Sequence, residues 1–368
     1  MKMPAGWVAA LAAVPMILAL GAGSALARPA SGNPPPPKGF EADSASFVTA
    51  RAGFVLGARG CSRMPCRALL ERTANGGKTW TSVPVPKVSL VQPFTGSPRS
   101  AVSEVRFASA SDGWLFAPGL WATTDGGAKW QSESLPGEVI ALAASDGVVF
   151  AASEPVNGGF NQAKLYESKV GTTKWTLVRG VSPGNAVTVY GHSVWAGIAP
   201  ALWTSTDAGK QWTKLKFACP RADISASAVA AASAADVAIA CSDQGFPQPG
   251  FSTKEVFTSA NGGRTFHLVG EPPEPGQVGT LAMPPGHPQV ITMTAASGAS
   301  YFYRSVNGGK TWQKTTYFDG GLSFRDFAYV SATTGYVIHF NGGPVLAYGQ
   351  GLLKTANAGV SWKTIVIP

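Results

Sequence analysis

Four acidic residues, Glu154, Asp223, Asp243 and Asp319, stand in or near loop-forming segments where a carboxylate could give and take protons. Glycoside hydrolysis needs two such groups about 5 to 10 Å apart across a cleft. No spacing in the chain marks any two of the four as partners. Two arginines, Arg106 in "EVRF" and Arg325 in "SFRDF", could hold an anion, with pairing of Arg325 to Asp326 as the competing arrangement. Other chemistries lack their signatures: there is no Gly-x-Ser-x-Gly, no His-Glu-x-x-His and no phosphate-binding glycine loop opening a helix. His192, His267, His287 and His339 are scattered, so neither a metal site nor a cofactor is expected.

The elements that must position these residues are announced by a repeat. "RTANGGKTW" ends at Trp80, "ATTDGGAKW" at Trp130, "TSTDAGKQW" at Trp212, "TSANGGRTF" at Phe266, "RSVNGGKTW" at Trp312 and "KTANAGVSW" at Trp362, with a degraded copy, "ESKVGTTKW", at Trp175. The aromatic positions recur every 37 to 54 residues. Such an interval holds about four short strands with their turns. No window sustains the i, i+3, i+4, i+7 stripe of a helical repeat, whereas β-branched, aromatic and small residues alternate between Gly and Pro punctuation. The expected fold is all-β, a seven-bladed β-propeller over residues 40–368. In the second blade "SEVRFAS", "DGWLFAPG", "LWATTD" and "AKWQSES" read as strands from inner to outer. The Asp/Asn-Gly/Ala-Gly turn then joins the third strand to the outer one, and the aromatic covers it.

The pattern Ser/Thr-x-Asp/Asn-Gly/Ala-Gly-x-x-Trp resembles the Asp-box, or BNR, repeat of sialidases, of some β-propeller glycosidases and of the photosystem II stability/assembly factor family. "EVRFASASDGWLFAPGLWATTDGGAKW" looks most like the last group, and the likeness runs from residue 40 to residue 368. The resemblance implies that Asn75, Asp125, Asp207, Asn261, Asn307 and Asn357 hold turns on the face away from the usual ligand site. It also implies a sialidase test. That family's first catalytic arginine lies in a Phe-Arg-Ile-Pro motif on the opening blade, and "ADSASFVTA" has no arginine at all.

The opposite face carries the links from second to third strand and from blade to blade, where variable loops on a rigid scaffold can bind. Phe94, Phe160, Phe246, Phe251 and Tyr348 fall in its long segments and could offer a contact surface. Glu154 and Asp243 belong there as well, while Arg106 and Arg325 fall on innermost strands facing the channel. The four cysteines allow three pairings. Local spacing favours Cys61 with Cys66 and Cys219 with Cys241, both clipping loops of this face.

The first 27 residues, with Lys2, an apolar run and Ala-Leu-Ala before Arg28, read as a secretory signal peptide, the alternative being an uncleaved anchor. A Pro-rich linker or tail follows over 28–39. The formal charge is +9. It suits anionic envelope polymers or lipid head groups and forms no Lys/Arg cluster of nucleic-acid type. These readings converge on a secreted or cell-envelope monomer. They predict a non-catalytic scaffold for a protein or an anionic or glycan envelope component, with membrane contact only through a retained leader or surface charge. The alternative is a sialidase-like or other glycoside hydrolase.

Overall fold

A computed structural model describes residues 39–368 apart from 62–64, 92–99, 157, 160–161, 198–201, 218, 221–223, 244–249, 298, 320–321 and 342–350. Residues 1–27, expected to be a leader, and nearly all of the Pro-rich segment thus lie outside the described residues, as do Phe94, Phe160, Asp223, Phe246 and Tyr348.

Strands dominate, and no α-helix occurs among the described residues. Seven four-stranded antiparallel sheets succeed one another along the chain. Their innermost strands are Phe40–Phe47, Glu104–Phe107, Glu138–Ser145, Val187–Tyr190, Ile224–Ala231, Gln277–Ala282 and Leu322–Tyr329. Each of these strands contacts the innermost strand of the next sheet, and the seventh contacts the first, so the inner strands surround a channel. A small three-stranded sheet is formed by Cys66–Arg67, from the link between the second and third strands of the first sheet, with Ser89–Leu90 and Ala101–Val102, from the link to the second sheet. Residues 40–47 pair within the first sheet and Lys363–Ile365 is the outer strand of the seventh, so among the described residues no sheet mixes strands from the two ends.

Because both faces of every sheet are covered by neighbours, the second strands read as continuous apolar or small runs rather than as alternating ones. Val237–Asp243 is buried along its whole length. The core is correspondingly divided into interfaces. Phe54, Leu56 and Leu70 of the first sheet pack on Val105, Phe107 and Leu115 of the second. At the other end of the chain, Tyr336, Ile338 and Leu352 of the seventh sheet pack on Phe40, Ala42 and Val55 of the first. Stacked rings reinforce both junctions: Phe54 on Phe107 and Phe47 on Tyr336, each with centroids 3.5 Å apart. A buried ring of this size contributes about 2 to 3 kcal/mol by burial alone.

Six turns between third and outer strands share one hydrogen-bond pattern. In the sixth sheet the Ser305 hydroxyl donates to Asn307 Oδ1 at 2.9 Å and accepts from the Gly309 N–H at 2.8 Å, while Asn307 Oδ1 accepts from the Thr311 N–H at 3.0 Å. Asn75, Asp125, Asp207, Asn261 and Asn357 accept in the same way from the N–H four residues on. The two glycines of the sixth turn have φ of 71° and 92°, a region that side chains strongly disfavour. The aromatic that follows is half-buried; Trp312 Nε1 returns a bond to the Gly309 carbonyl, whereas Trp130 Nε1 reaches Pro84 of the preceding sheet. These backbone bonds depress the Asp125 and Asp207 carboxyls below their ordinary range, Lys129 N–H being the main donor to the first and Gln211 N–H to the second.

Candidate functional site

The inner strands frame a channel of about 450 Å³. On the side of the third to sixth sheets its wall is neutral, with Ala141, Ala143, Ala186, Thr188, Ala228 and Thr280 beside larger aliphatics such as Leu142, Val187 and Leu281. Charge is gathered on the other side, where the first, second and seventh sheets meet. A register shift in the innermost strand of the seventh sheet sets Asp326 at φ 54°. That departure from regular pairing lets its carboxylate receive Arg106 Nη2 at 2.6 Å on one oxygen, and the Ser44 hydroxyl at 2.5 Å and the Ala45 N–H at 2.9 Å on the other. Ser44 Oγ in turn accepts from the Val105 N–H at 3.0 Å. Arg106 also donates to the Val105 carbonyl and lies 3.3 Å from Glu104.

Arg325 does not pair with its neighbour Asp326, as the sequence suggested it could. It lies 3.4 Å from Asp43 on the first sheet. The shift that turns Asp326 toward Arg106 leaves the two adjacent side chains serving different sheets. Arg106 and Arg325, the two arginines considered for an anion site, thus each lie at ion-pair distance from a carboxylate of the chain itself. Three acids, Asp43, Glu104 and Asp326, face two guanidiniums, and the crowding shows in Glu104 and Asp43. Burial pushes Glu104 up to about 7, Arg106 opposing it and Asp326 adding to it, and burial pushes Asp43 up to about 6 against the pull of Arg325. Glu41, two residues before Asp43, is buried with neither carboxylate oxygen bonded, and desolvation raises it to about 7.

Farther out on the same face, Glu154 closes the second strand of the third sheet directly opposite Glu138 on the innermost strand. Burial raises the Glu154 carboxyl and the Glu138 charge raises it further. Sequence reading missed Glu138, because only strand register makes it a neighbour. Asp243 is 8% exposed and accepts from the Thr253 N–H at 3.1 Å, so it holds a link rather than offering a free carboxylate. Beside it lies Lys254, 1% exposed, whose ammonium donates to the carbonyls of Ser252, Pro273 and Glu274 at 2.8, 3.0 and 2.7 Å. Burial lowers it to about 8, with Asp243 and Glu274 opposing the fall. Phe251 is 44% exposed and bridges to Pro275. Both cystines form, Cys61 to Cys66 and Cys219 to Cys241, each with Cα atoms 5.9 Å apart. Asp319 ends the outer strand of the sixth sheet. Among the described residues no group of three His, Cys, Asp or Glu side chains is placed to hold a metal ion, and no helix is long and apolar enough to cross a membrane.

No family model matches the chain and no curated protein matches it in sequence. Solved structures do. YCF48 from Cyanidioschyzon merolae superposes with a TM-score of 0.55 at 16% identity, over 87% of this chain and 96% of that one. YCF48 bound to a D1 peptide gives 0.54 at 16%, over 87% and 94%. The GH74 xyloglucanase from Xanthomonas campestris gives 0.56 at 13%, over 90% of this chain and 55% of that one. At such identities the likeness establishes a shared fold, the β-propeller, and leaves the activity to the site.

Proposed function

We propose that this chain is an exported, non-catalytic, seven-bladed β-propeller with Asp-box turns that acts as a binding or assembly scaffold. Its ligand is a protein segment or a cell-envelope glycan, held at the channel mouth and the loops around it. The observation that carries this reading is the internal pairing of Arg106 with Asp326 and of Arg325 with Asp43. A site of sialidase type needs arginines directed at a substrate carboxylate, and both channel arginines are already engaged. What the channel offers instead is a recess with a neutral wall of Ala, Thr, Val and Leu, suited to enclosing a chain by shape. Peptide as the ligand class is supported by the similar propeller whose structure contains a D1 peptide. The two cystines suit an oxidising compartment outside the cytoplasm.

The reading is tested by screening the purified protein against peptide and glycan arrays, then repeating the best ligands with Ala143→Arg, which fills the channel from its neutral wall. Saturable binding lost in the variant supports it. Binding indifferent to the variant removes the channel from the account.

One observation favours the alternative of a glycoside hydrolase. Glu138 and Glu154 are cross-strand partners, a relation that sets β-carbons about 5 Å apart, near the carboxylate separation of retaining enzymes. The likeness to a GH74 xyloglucanase points the same way.

A further inference from the structure

On the face opposite the channel mouth loops, the turn of the third sheet departs from its six siblings. Val170 stands where they have Asp or Asn, and Thr172 where they have the second glycine. The consequence is electrostatic as well as steric. In the siblings the Asp or Asn oxygen accepts the N–H four residues on, as Asn307 does from Thr311. Valine has no acceptor. The Lys174 N–H occupies that fourth position, and among the described residues no bond is formed by it. The Ser168 hydroxyl, whose counterparts bind the second glycine's N–H, turns instead to Thr172 Oγ1 at 3.1 Å.

A cavity of about 510 Å³ opens beside this altered turn, between the third and fourth sheets. Lys169, Lys174 and Lys210 line it together with Thr172, Thr176 and Glu167. All three lysines are exposed, and among the described residues none is in an ion pair. Glu167 is the one opposing charge, and burial raises its carboxyl toward the neutral form. Three ammonium groups on the lining residues, an N–H released by the loss of an Asp or Asn, and the Thr176 hydroxyl make a donor-rich recess, the Thr172 hydroxyl being spent on the Lys169 carbonyl at 2.9 Å. Tetrahedral oxyanions accept from several directions at once and are served by flexible ammonium groups acting as point charges.

We propose that this recess binds a phosphate group, carried by a soluble phosphate or by a phospholipid headgroup. It is independent of the channel, and binding there neither requires nor excludes a ligand at the mouth loops.

Calorimetric titration of the purified protein with inorganic phosphate and glycerol phosphate tests the site, alongside co-sedimentation with phosphatidylglycerol and phosphatidylcholine vesicles. The double variant Lys174→Gln/Lys210→Gln is expected to weaken phosphate at least tenfold. A control of equal charge loss on other sheets, Lys314→Gln/Lys363→Gln, is expected to stay within twofold of wild type. Val170→Asn, which returns an acceptor to the Lys174 N–H without adding charge, is expected to weaken phosphate at least threefold while raising the melting temperature. Retention of phosphatidylglycerol vesicles by wild type and not by the double variant would identify the headgroup as the source; binding of the soluble phosphates alone would identify the free ligand. Absence of saturable phosphate binding, or equal loss in the double variant and its control, overturns the proposal.

Discussion

Arg106 meets Asp326 at 2.6 Å across 220 residues of sequence, and the Asp326 carboxylate is also bonded by Ser44 and Ala45. One carboxylate therefore joins the second, first and seventh sheets where the ring of inner strands comes together. Among the described residues no sheet shares strands from the two ends of the chain, and closure uses this cluster, the apolar face between Tyr336 and Phe40, and the bonds of Tyr336 and Lys354 to the Ala50 and Gly76 carbonyls.

Removing the carboxylate strands a guanidinium of which only 29% remains accessible. Asp326→Ala is expected to cost about 3 kcal/mol in urea unfolding, whereas Arg106→Ala/Asp326→Ala should cost less than the sum of the single changes. Additive losses would mean that the pair does not couple the sheets.

The buried Glu41 gives a prediction in pH. Its folded form keeps a proton up to about pH 7, while its ordinary value is 4.5. The folded state binds the extra proton, so stability falls as pH rises through this window. Glu41→Gln should match wild type at pH 4 and exceed it by about 3 kcal/mol at pH 8. His339, lowered to about 4 by burial, works in the opposite sense, and being present in both proteins it cancels from the difference. Equal stabilities at pH 8 would show that Glu41 ionises freely.

The turns make a paired prediction. A β-carbon at Gly309, where φ is 92°, would lie 2.7 Å from Val269 Cγ2, so Gly309→Ala should destabilise by about 2 to 3 kcal/mol. Ala358 sits at φ 54° in the first-glycine position of its turn. Ala358→Gly should then stabilise by about 0.5 kcal/mol, the relief of strain outweighing the added chain entropy. Thermal unfolding of both variants checks the pair, and matching signs would contradict it.

These relationships also mark how far the sequence could be read. The strand order and the turns were legible because each repeat writes its own local pattern: a Ser or Thr, an Asp or Asn, a glycine, an aromatic. The same periodicity assigns Arg106 and Arg325 to innermost strands, where Glu104–Phe107 and Leu322–Tyr329 carry them. Their partners were not legible, because Asp43 and Asp326 lie 220 or more positions from the arginines they join and a single register shift decides which neighbour each one meets. Glu138 was hidden for a similar reason, since strand pairing across a link brings it to Glu154. Lys254, in "FSTKE", has no sequence signal for its burial. Three backbone carbonyls converge to bury it, and nothing in the local composition announces them.

The central claim, a scaffold rather than a hydrolase, is tested most directly by incubating the purified protein with a fluorogenic sialoside, xyloglucan and a broad glycan panel. The account predicts no turnover above that of a Glu138→Gln/Glu154→Gln control. Hydrolysis by the wild type that disappears in this control would contradict it and make the Glu138 and Glu154 pair a catalytic site.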